Sequence, residues 1–594
     1  MSDETQNGLN PEALNSNSTN MREVVEARVK KEPKLWGDKS KGEKTTLDPD
    51  QMQRLVEERK KTIEEKYGND GSEVIWPFLP ASSSDGDKEG VKHFDPKFIL
   101  SCIEDFSNML GPGLMYAHLN ENLIFLQLPT EKVLIKNSSN VWVHDHGKIY
   151  LSSVEKVVDE LLRFYGSYLQ KEMHSAIKSG DKGRLEQLQK AEKDVFKIVK
   201  KLRSINGRKD CVLFGFVNPY FQLSATVDQF DNNPGIFPAK NINVCLESGR
   251  PIKRRPEDKI TFVSSAEFHL TEHFLSRNFE DCPTFGEFLI SLWPGKEGHE
   301  IILYLQRLFG YVLTGSCVEH IIIVLSGIGR NGKSTLIELM AYILGDLAGN
   351  FQPELLLDQY RVRNPDAPSP SIMAFMNKLL MWASESDPNR RWNTQIAKSF
   401  SGGDTRTGRE VHGKNEISFQ PTHTIFFLCN HLPIAPANDF AFWERIHVIP
   451  FKRRFILNRD PDPRDPNEIR ADKGLPEKLK KESNAILAWM IAGCLYWRKE
   501  GLKPPLAVRE ATAKYKRDED ILQDWIDEAC VLHKDARGPA SLLHESFNEW
   551  YTKNLSKKGI TPHKFGRLMG QRFEKIKPSG YVYVGIGLKD EKFS

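Results

Sequence analysis

The sequence predicts an α/β fold organised around a mainly parallel sheet covered on both faces. Two observations carry this. Three continuous apolar runs, HIIIVLS (320–326), KLLMWAS (378–384) and HTIFFLCN (423–430), are separated by helical stretches, and strands apolar on both faces must be covered from both sides. The first run leads into a glycine-rich loop, Gly327-Ile328-Gly329-Arg330-Asn331-Gly332-Lys333-Ser334, and then into TLIELMAYIL (335–344), which reads as helix. Strand, glycine-rich loop and helix in that order form the context that a phosphate-binding loop demands.

In chain order, residues 1–70 hold 28 charged side chains and only Trp36 and Tyr67 as aromatics. Such a composition buries too little apolar surface to offset chain ordering, so residues 1–93 are expected to be mostly disordered. They include a solvated helix at about 50–66 and a linker at 70–90 with one apolar WPFLP patch. A globular α+β region of unassigned role follows over 94–220, with short strands (LIFLQL, VWVHD, KIYL) and a charged helix at about 182–204. Residues 221–316 are expected to be largely helical, with apolar positions at helical spacing over 282–315. The glycine-rich core spans 317–500, and Pro504-Pro505 opens a separate unit within 501–594. At 594 residues, roughly three or four domains are expected.

Bulk properties exclude several classes. Net charge is only +3, so a nucleic-acid surface has to be local. Eight scattered cysteines with no C-x-x-C pair argue against a zinc knuckle or disulfide framework and for a reducing compartment. MSDETQNGLN, polar and acidic, is not expected to act as a signal peptide, and AILAWMIAGCLYW (485–497) is too short to span a bilayer. The expectation is a soluble intracellular protein of a host cytoplasm or nucleoid, without membrane contact.

The glycines let the loop backbone turn its N–H groups around phosphate oxygens at the start of the following helix. Lys333 would reach the β and γ phosphates, and the Ser334 hydroxyl would hold Mg²⁺. Gly327, Gly329, Arg330, Asn331, Gly332, Lys333, Ser334 and Thr335 are thus the candidate binding residues for ATP. The second apolar run ends in Ser384-Glu385-Ser386-Asp387, placing a carboxylate where ligands bind in open α/β sheets. Glu385 would polarise the attacking water or join the Mg²⁺ shell, and Asp387 could share the task. Asn430 ends the third run and suits orientation of a water, while Arg445 in Trp443-Glu444-Arg445 offers a guanidinium for charge developing in phosphoryl transfer.

The run GRNGKST, ASE, KSFSGGDTRTGR, FFLCNHLP and FWERIHVIPF resembles the superfamily 3 helicase module of phage and plasmid primase-helicases, related to the poxvirus primase-helicase. The resemblance covers about residue 220 to the end, with residues 228–262 similar to the segment preceding the helicase and 305–315 similar to its helical lead-in. It implies an AAA+-like P-loop NTPase core with a helical lead-in domain and a hexameric ring with ATP between subunits. It assigns Lys333 and Ser334 as loop ligands, Glu385 as the second-motif acid, Asn430 as sensor and Arg445 as the arginine finger entering the neighbour's site. Two departures stand out: Glu385 lies between serines where many relatives carry adjacent acids, and Glu444 replaces the first arginine of a common Trp-Arg-Arg.

Residues 405–420 (TRTGREVHGKNEISFQ) suggest a hairpin with a polar turn at 412–415. In superfamily 3 helicases a hairpin at this position projects into the ring channel, which makes Arg409, His412 and Lys414 the candidate contacts to single-stranded DNA. Lys398 and Asp404 of the same motif take a structural or site-organising role. The last 44 residues hold ten Lys/Arg against three Asp/Glu and read as helix, helix and two-strand wing, similar to the winged-helix tail of the same family. No primase is recognisable: Asp85-Gly86-Asp87 sits in a serine-rich linker, and His144-Asp145-His146 reads as an exposed strand end rather than a metal site.

The resulting expectation is an ATP-dependent DNA helicase that replicates a phage, plasmid or virus-like element and translocates on single-stranded DNA as a ring. Its expected partners are single-stranded and forked DNA, further copies of itself, and a separate primase or polymerase. The alternatives are a DNA-packaging or remodelling ATPase, and an origin-binding initiator whose ATPase drives assembly.

Overall fold

In a computed structural model the three apolar runs become neighbouring parallel strands. The structure describes residues 93–589 except 105–108, 129, 218–220, 222, 359–369, 386, 388–389, 410–415, 555–558, 571 and 578–579. The expected helix at 50–66, the WPFLP patch and Asp85-Gly86-Asp87 lie outside the described residues, as do Ser386, His412 and Lys414. The elements below all belong to one compact unit, Ile99–Ser594.

The first layer contains α1 (Leu110–Leu119), β1 (Ile124–Leu128), β2 (Lys132–Lys136) and β3 (Trp142–His144). It continues through α2 (Ile149–Ser152), α3 (Lys182–Leu202), α4 (Ile205–Phe216) and β4 (Ser224–Thr226). The strands order as β3-β2-β1-β4. Because β1 pairs in parallel with β4, Leu126 opposite Ser224, the boundary expected at residue 220 cuts through a single sheet. KIYL is helical in α2, not a strand: the Asp145 carboxylate accepts the Tyr150 N–H at 2.7 Å and turns the chain. Helix α3 buries Val195, Ile198, Val199 and Leu202, one stripe at spacings of three and four.

Next comes an antiparallel meander of β5 (Ile236–Pro238), β6 (Asn243–Cys245) and β7 (Pro251–Ile252), where a largely helical segment was expected. Its β6–β7 turn uses Gly249 at φ 68°, a left-handed conformation that suits glycine. Arg254 fastens this meander to the first sheet. It is 4% exposed, donating to Asn243 Oδ1 at 2.9 Å and to Ser139 O at 3.3 Å. Helices α5 (Pro283–Leu292) and α6 (Gly295–Val312) lie within the 282–315 stretch read as helical from its spacing.

The central sheet holds β8 (Ile322–Ser326), β9 (Ala348–Asn350), β10 (Leu380–Glu385), β13 (Thr424–Cys429) and β14 (Ile446–Pro450). All its pairings are parallel, in the order β14-β8-β13-β10-β9. Ile322, Val324, Ile425 and Phe427 enter one core cluster, and Ile323, Leu325, Phe426 and Leu428 enter the other. Both faces are apolar because both are covered, which is why these strands read as unbroken runs. Between β10 and β13 lie α8 (Thr394–Ser401) and the hairpin arms β11 (Arg406–Gly408) and β12 (Ile417–Phe419), antiparallel with Thr407 opposite Ser418. After β8 comes α7 (Lys333–Leu344), and before β14 the short α9 (Phe440–Trp443).

After β14 come two short parallel strands, β15 (Arg454–Ile456) and β16 (Glu468–Arg470). The 485–497 run lies in α10 (Ser483–Glu500), where Ile486 to Cys494 are buried. It packs closely on α6, since a Cβ at Gly310 would meet the Cys494 backbone N at 2.0 Å. Among the described residues no helix is long and apolar enough to cross a membrane. Helix α11 (Leu506–Asp518) buries Val508 and Tyr515 in the two clusters flanking the central sheet. The C-terminal cluster therefore begins after α11, later than the boundary expected at 501.

That cluster combines α12 (Ile521–Ala529), β17 (Cys530–Pro539), α13 (Ala540–Asn554), α14 (Pro562–Met569), β18 (Lys575–Ile576) and β19 (Val582–Leu588). Its sheet runs β17-β19-β18. Two helices and two final strands match the expectation; α12 and the ten-residue β17 are additional.

Candidate active site

The sheet register decides which candidate residues meet. Ser326 of β8 lies beside Cys429 of β13, and Cys429 lies beside Glu385 of β10. The glycine-rich loop, Asn430 and Glu385 therefore share the C-terminal edge of the sheet. Lys333, the first residue of α7, is 6% exposed. Its ammonium donates to Gly327 O and, at 3.3 Å, to Asn430 Oδ1. Burial pulls its pKa below the ordinary lysine value, partly countered by Cys429. The reciprocal effect appears at Cys429, whose thiol burial pushes up to about 12. Ser334 is exposed and Thr335 half-buried at the start of the helix.

The loop glycines differ in what they do. Gly332 sits at φ 86° and a Cβ there would meet Leu292 at 2.9 Å. At Gly327 a Cβ would come within 2.3 Å of Phe451 O. Gly329 has open space around it and no left-handed φ; besides Gly332, the left-handed residue of the loop is Arg330, at φ 59°. Expectation placed the same requirement on all three glycines, and Gly329 departs from it. The frame of the loop comes from the segment after β14: Phe451 N–H donates to Ser326 O and Phe455 N–H to Arg330 O, both at 2.8 Å. Asn331, 3% exposed, donates from its side chain to Phe451 O at 3.4 Å. Phe451 and Phe455 were legible only as part of FWERIHVIPFKRRF, with no sign of which loop they brace.

Glu385 accepts the Asp387 N–H at 2.8 Å, and Arg390 lies 3.7 Å from its other oxygen, with the Glu385 side chain 9% exposed. Sequence reading missed Arg390. Asp387 is exposed and follows the strand end.

Arg445 is placed elsewhere. Its carbonyl accepts the Ile322 N–H at 2.7 Å, which puts it at the N-terminal edge of β14 and β8. Ile446 to Pro450 pair with Ile322 to Ser326, so Arg445 is in register with Ile321 and lies six strand steps, about 20 Å, from Gly327. Arg445 thus cannot serve the loop of its own chain. Its Nε is buried without a hydrogen-bond partner among the described residues. Lys398 binds Asp439 at 2.9 Å, and Asp439 caps α9 by accepting the Phe442 N–H at 3.1 Å. Burial opposes the Asp439 charge, yet Lys398 and the other hydrogen bonds hold its pKa below the usual carboxylate value. Lys398 thus organises the segment that carries Arg445. The hairpin root lies at the same edge as Arg445, because β12 leads into the start of β13 and His320 before β8 contacts Ser401 O at 3.3 Å. Arg409 follows β11 there.

Among the described residues no group of three or more His, Cys, Asp or Glu is placed to hold a metal.

A family model described as D5 N terminal like matches residues 124–294. That span starts at β1 and takes in most of the region for which sequence offered no role. A "Putative helicase" of Acanthamoeba polyphaga mimivirus is 32% identical over 290 residues, covering 47% of this chain and 30% of the relative. A "Putative helicase" of Frog virus 3 is 27% identical over 278 residues, covering 45% and 28%. A "Putative primase" of African swine fever virus is 26% identical over 250 residues, covering 40% and 26%. The matches span less than a third of these relatives' own length. Among solved structures, the apo NrS-1 C terminal region covers 78% of this chain and 96% of its own at 12% identity with a TM-score of 0.39, too loose a superposition to carry an argument. The D5 N-terminal-like match and the viral helicase and primase relatives support a place for this chain in a primase-helicase family of phage and virus type.

Proposed function

We propose that the chain is an ATP-dependent DNA helicase of superfamily 3 type, acting in replication of a viral, phage or plasmid-like genome as a ring of identical subunits. The observation that carries this is Lys333. Its ammonium is nearly removed from water, and among the described residues its hydrogen-bond partners are the neutral oxygens of Gly327 and Asn430, with no carboxylate among its charge partners. A buried cation without a counter-ion is costly, and a phosphate would supply the missing charge. The donor set at this edge fits ATP and Mg²⁺: Lys333 and loop N–H groups for phosphate, the Ser334 hydroxyl and Glu385 for the ion. When bound, ATP with Mg²⁺ supplies the transferable phosphoryl group and the metal's charge neutralisation.

The chain's own groups divide the remaining work. Asn430, 3.3 Å from the Lys333 ammonium, orients the attacking water, and Glu385, held by the Asp387 N–H, takes its proton or completes the metal shell. Arg445 acts on a neighbouring subunit's site, in agreement with its place at the opposite sheet edge. Arg409, His412 and Lys414 on the hairpin grip single-stranded DNA, and the basic C-terminal unit, read as a winged helix, offers a second nucleic-acid surface. The viral relatives named helicase and primase support a replicative role.

Forked-duplex unwinding by the purified chain tests this. Strand separation is expected with ATP and Mg²⁺, and it should stop when EDTA removes the ion. Hydrolysis without strand separation would instead favour a packaging or remodelling motor or an assembly-driving initiator. Absence of hydrolysis with DNA present would overturn the proposal.

A further inference from the structure

The segment 430–439 joins Asn430 to α9, and the chain's C-terminal elements hold much of it. Tyr515 of α11 donates its hydroxyl to Pro433 O and accepts the Trp392 indole N–H at 3.0 Å. Glu519, just past α11, accepts the Ala435 N–H at 2.9 Å. Trp443 of α9 closes the segment on itself by donating to Pro436 O at 3.0 Å. Beyond α14, Arg572 pairs with Asp520, donates to Gln523 Oε1 at 3.0 Å and reaches Asn438 Oδ1 at 3.4 Å. Arg572 and Asp520 are each about one-fifth exposed (19% and 20%), so this charge-assisted contact is largely shielded from water. Asn438 immediately precedes Asp439, the cap of α9 and the partner of Lys398. Arg445 follows two residues after α9 ends.

We infer that Arg572 is a positioning residue for Arg445. It ties the C-terminal unit to Asn438 and so fixes where α9, and the guanidinium that follows it, can stand. The inference rests on the reading of Arg445 as a finger for a neighbouring site. Seating of the C-terminal unit thereby controls turnover. With Arg572 engaged, α9 is held at both its cap and its start. With Arg572 released, α9 can shift, while the glycine-rich loop, braced by Phe451 and Phe455, stays as it is.

Steady-state ATP hydrolysis by the full chain tests this. Asn438→Ala and Arg572→Ala should each lower kcat about tenfold with KM for ATP within about twofold, because neither residue touches the loop. Asn438 is exposed, so its replacement keeps the test valid where Arg572→Ala also loosens Asp520 and Gln523. Arg572→Lys should restore part of the rate, and the double variant should be no slower than the worse single, since one contact is lost only once. Amide hydrogen exchange should quicken over 438–443 and stay unchanged over 333–344. Wild-type kcat in both single variants, alongside an Arg445→Ala protein that has lost turnover, would overturn the inference alone. Additive losses in the double variant would also overturn it, as two unrelated packing defects. Retained turnover in Arg445→Ala would instead sink the finger reading on which it stands.

Discussion

At the C-terminal edge of the central sheet, Lys333 and Asn430 meet at 3.3 Å, and Glu385 lies on the adjoining strand, oriented by the Asp387 N–H. At the N-terminal edge, Arg445 and the hairpin root stand about 20 Å away by strand rise, and the Arg445 Nε is buried with no partner among the described residues. One edge is assembled within a single chain. At the other, the Arg445 guanidinium donates from Nη1 to Ala441 O at 2.5 Å and, in the proposed function, serves a neighbouring subunit. The proposed site shared by two copies uses both edges, and each edge can be broken separately.

The largest effect is expected at the assembled edge. Lys333→Ala should reduce ATP hydrolysis to background, because the site loses the cation that balances phosphate charge during transfer. The fold should hold, since the lost ammonium is already disfavoured by burial; thermal unfolding alongside the hydrolysis assay checks both. Arg445→Ala should bind ATP normally and hydrolyse it on the order of a thousandfold more slowly, which equilibrium nucleotide binding and single-turnover kinetics would resolve.

Acid should act more strongly on the N-terminal edge and β14. Burial lowers the pKa of His423, before β13, to about 3 and that of His447, in β14, to about 4. Below pH 6.5 the unfolded chain therefore binds protons that these rings refuse, and stability falls as pH drops. At pH 5 the cost is about 2 kcal/mol for each histidine. Asp231 works in the opposite direction, because burial raises its carboxyl to about 6; the folded chain keeps that proton and gains stability as pH falls below 6. Urea unfolding at pH 7 and pH 5 should show a net loss, and His423→Leu should reduce it. An equal loss in that variant would remove His423 from the account.

A smaller contrast separates the loop glycines. Gly332→Ala should cost roughly 1–2 kcal/mol, because φ 86° is a conformation an L side chain resists. Gly329→Ala should change stability by less than about 0.5 kcal/mol, since a Cβ there meets nothing within 4 Å. The smallest expected effect is at the hairpin. Each of His412→Ala and Lys414→Ala should lower the salt slope of single-strand binding by roughly 0.7 and leave DNA-free hydrolysis unchanged. A wild-type slope and wild-type unwinding in the double variant would move the DNA contact to the C-terminal unit.

Range along the chain decides how much of the fold is legible in the residues. The three long apolar strands, the loop between β8 and α7, and Asn430 at a strand end are local patterns, and the structure places them as read. Helices α3, α5, α6 and α10 are equally visible from spacing. Strand β9, three residues containing a glycine, is too short to carry a period. The parallel pairing of β1 with β4 spans nearly a hundred residues and leaves no local mark, so the 94–220 region reads as separate from residues 221–316. KIYL reads wrongly as a strand because four residues do not distinguish strand from helix. At the site, residue types announce Lys333, Glu385 and Asn430. The supports are silent: Phe451 and Phe455 brace the loop through backbone N–H groups, which nearly any residue type provides. Arg390 and Arg572 act through contacts that only the fold creates.

The shared site is tested most directly by mixing two inactive proteins. Lys333→Ala chains keep Arg445, and Arg445→Ala chains keep Lys333, so some interfaces in a mixed ring contain an intact loop facing an intact guanidinium. Hydrolysis measured across mixing ratios should rise above that of either variant and peak at intermediate composition. Mixtures shown by co-purification to assemble, yet no more active than the separate variants, would contradict a site built from two chains.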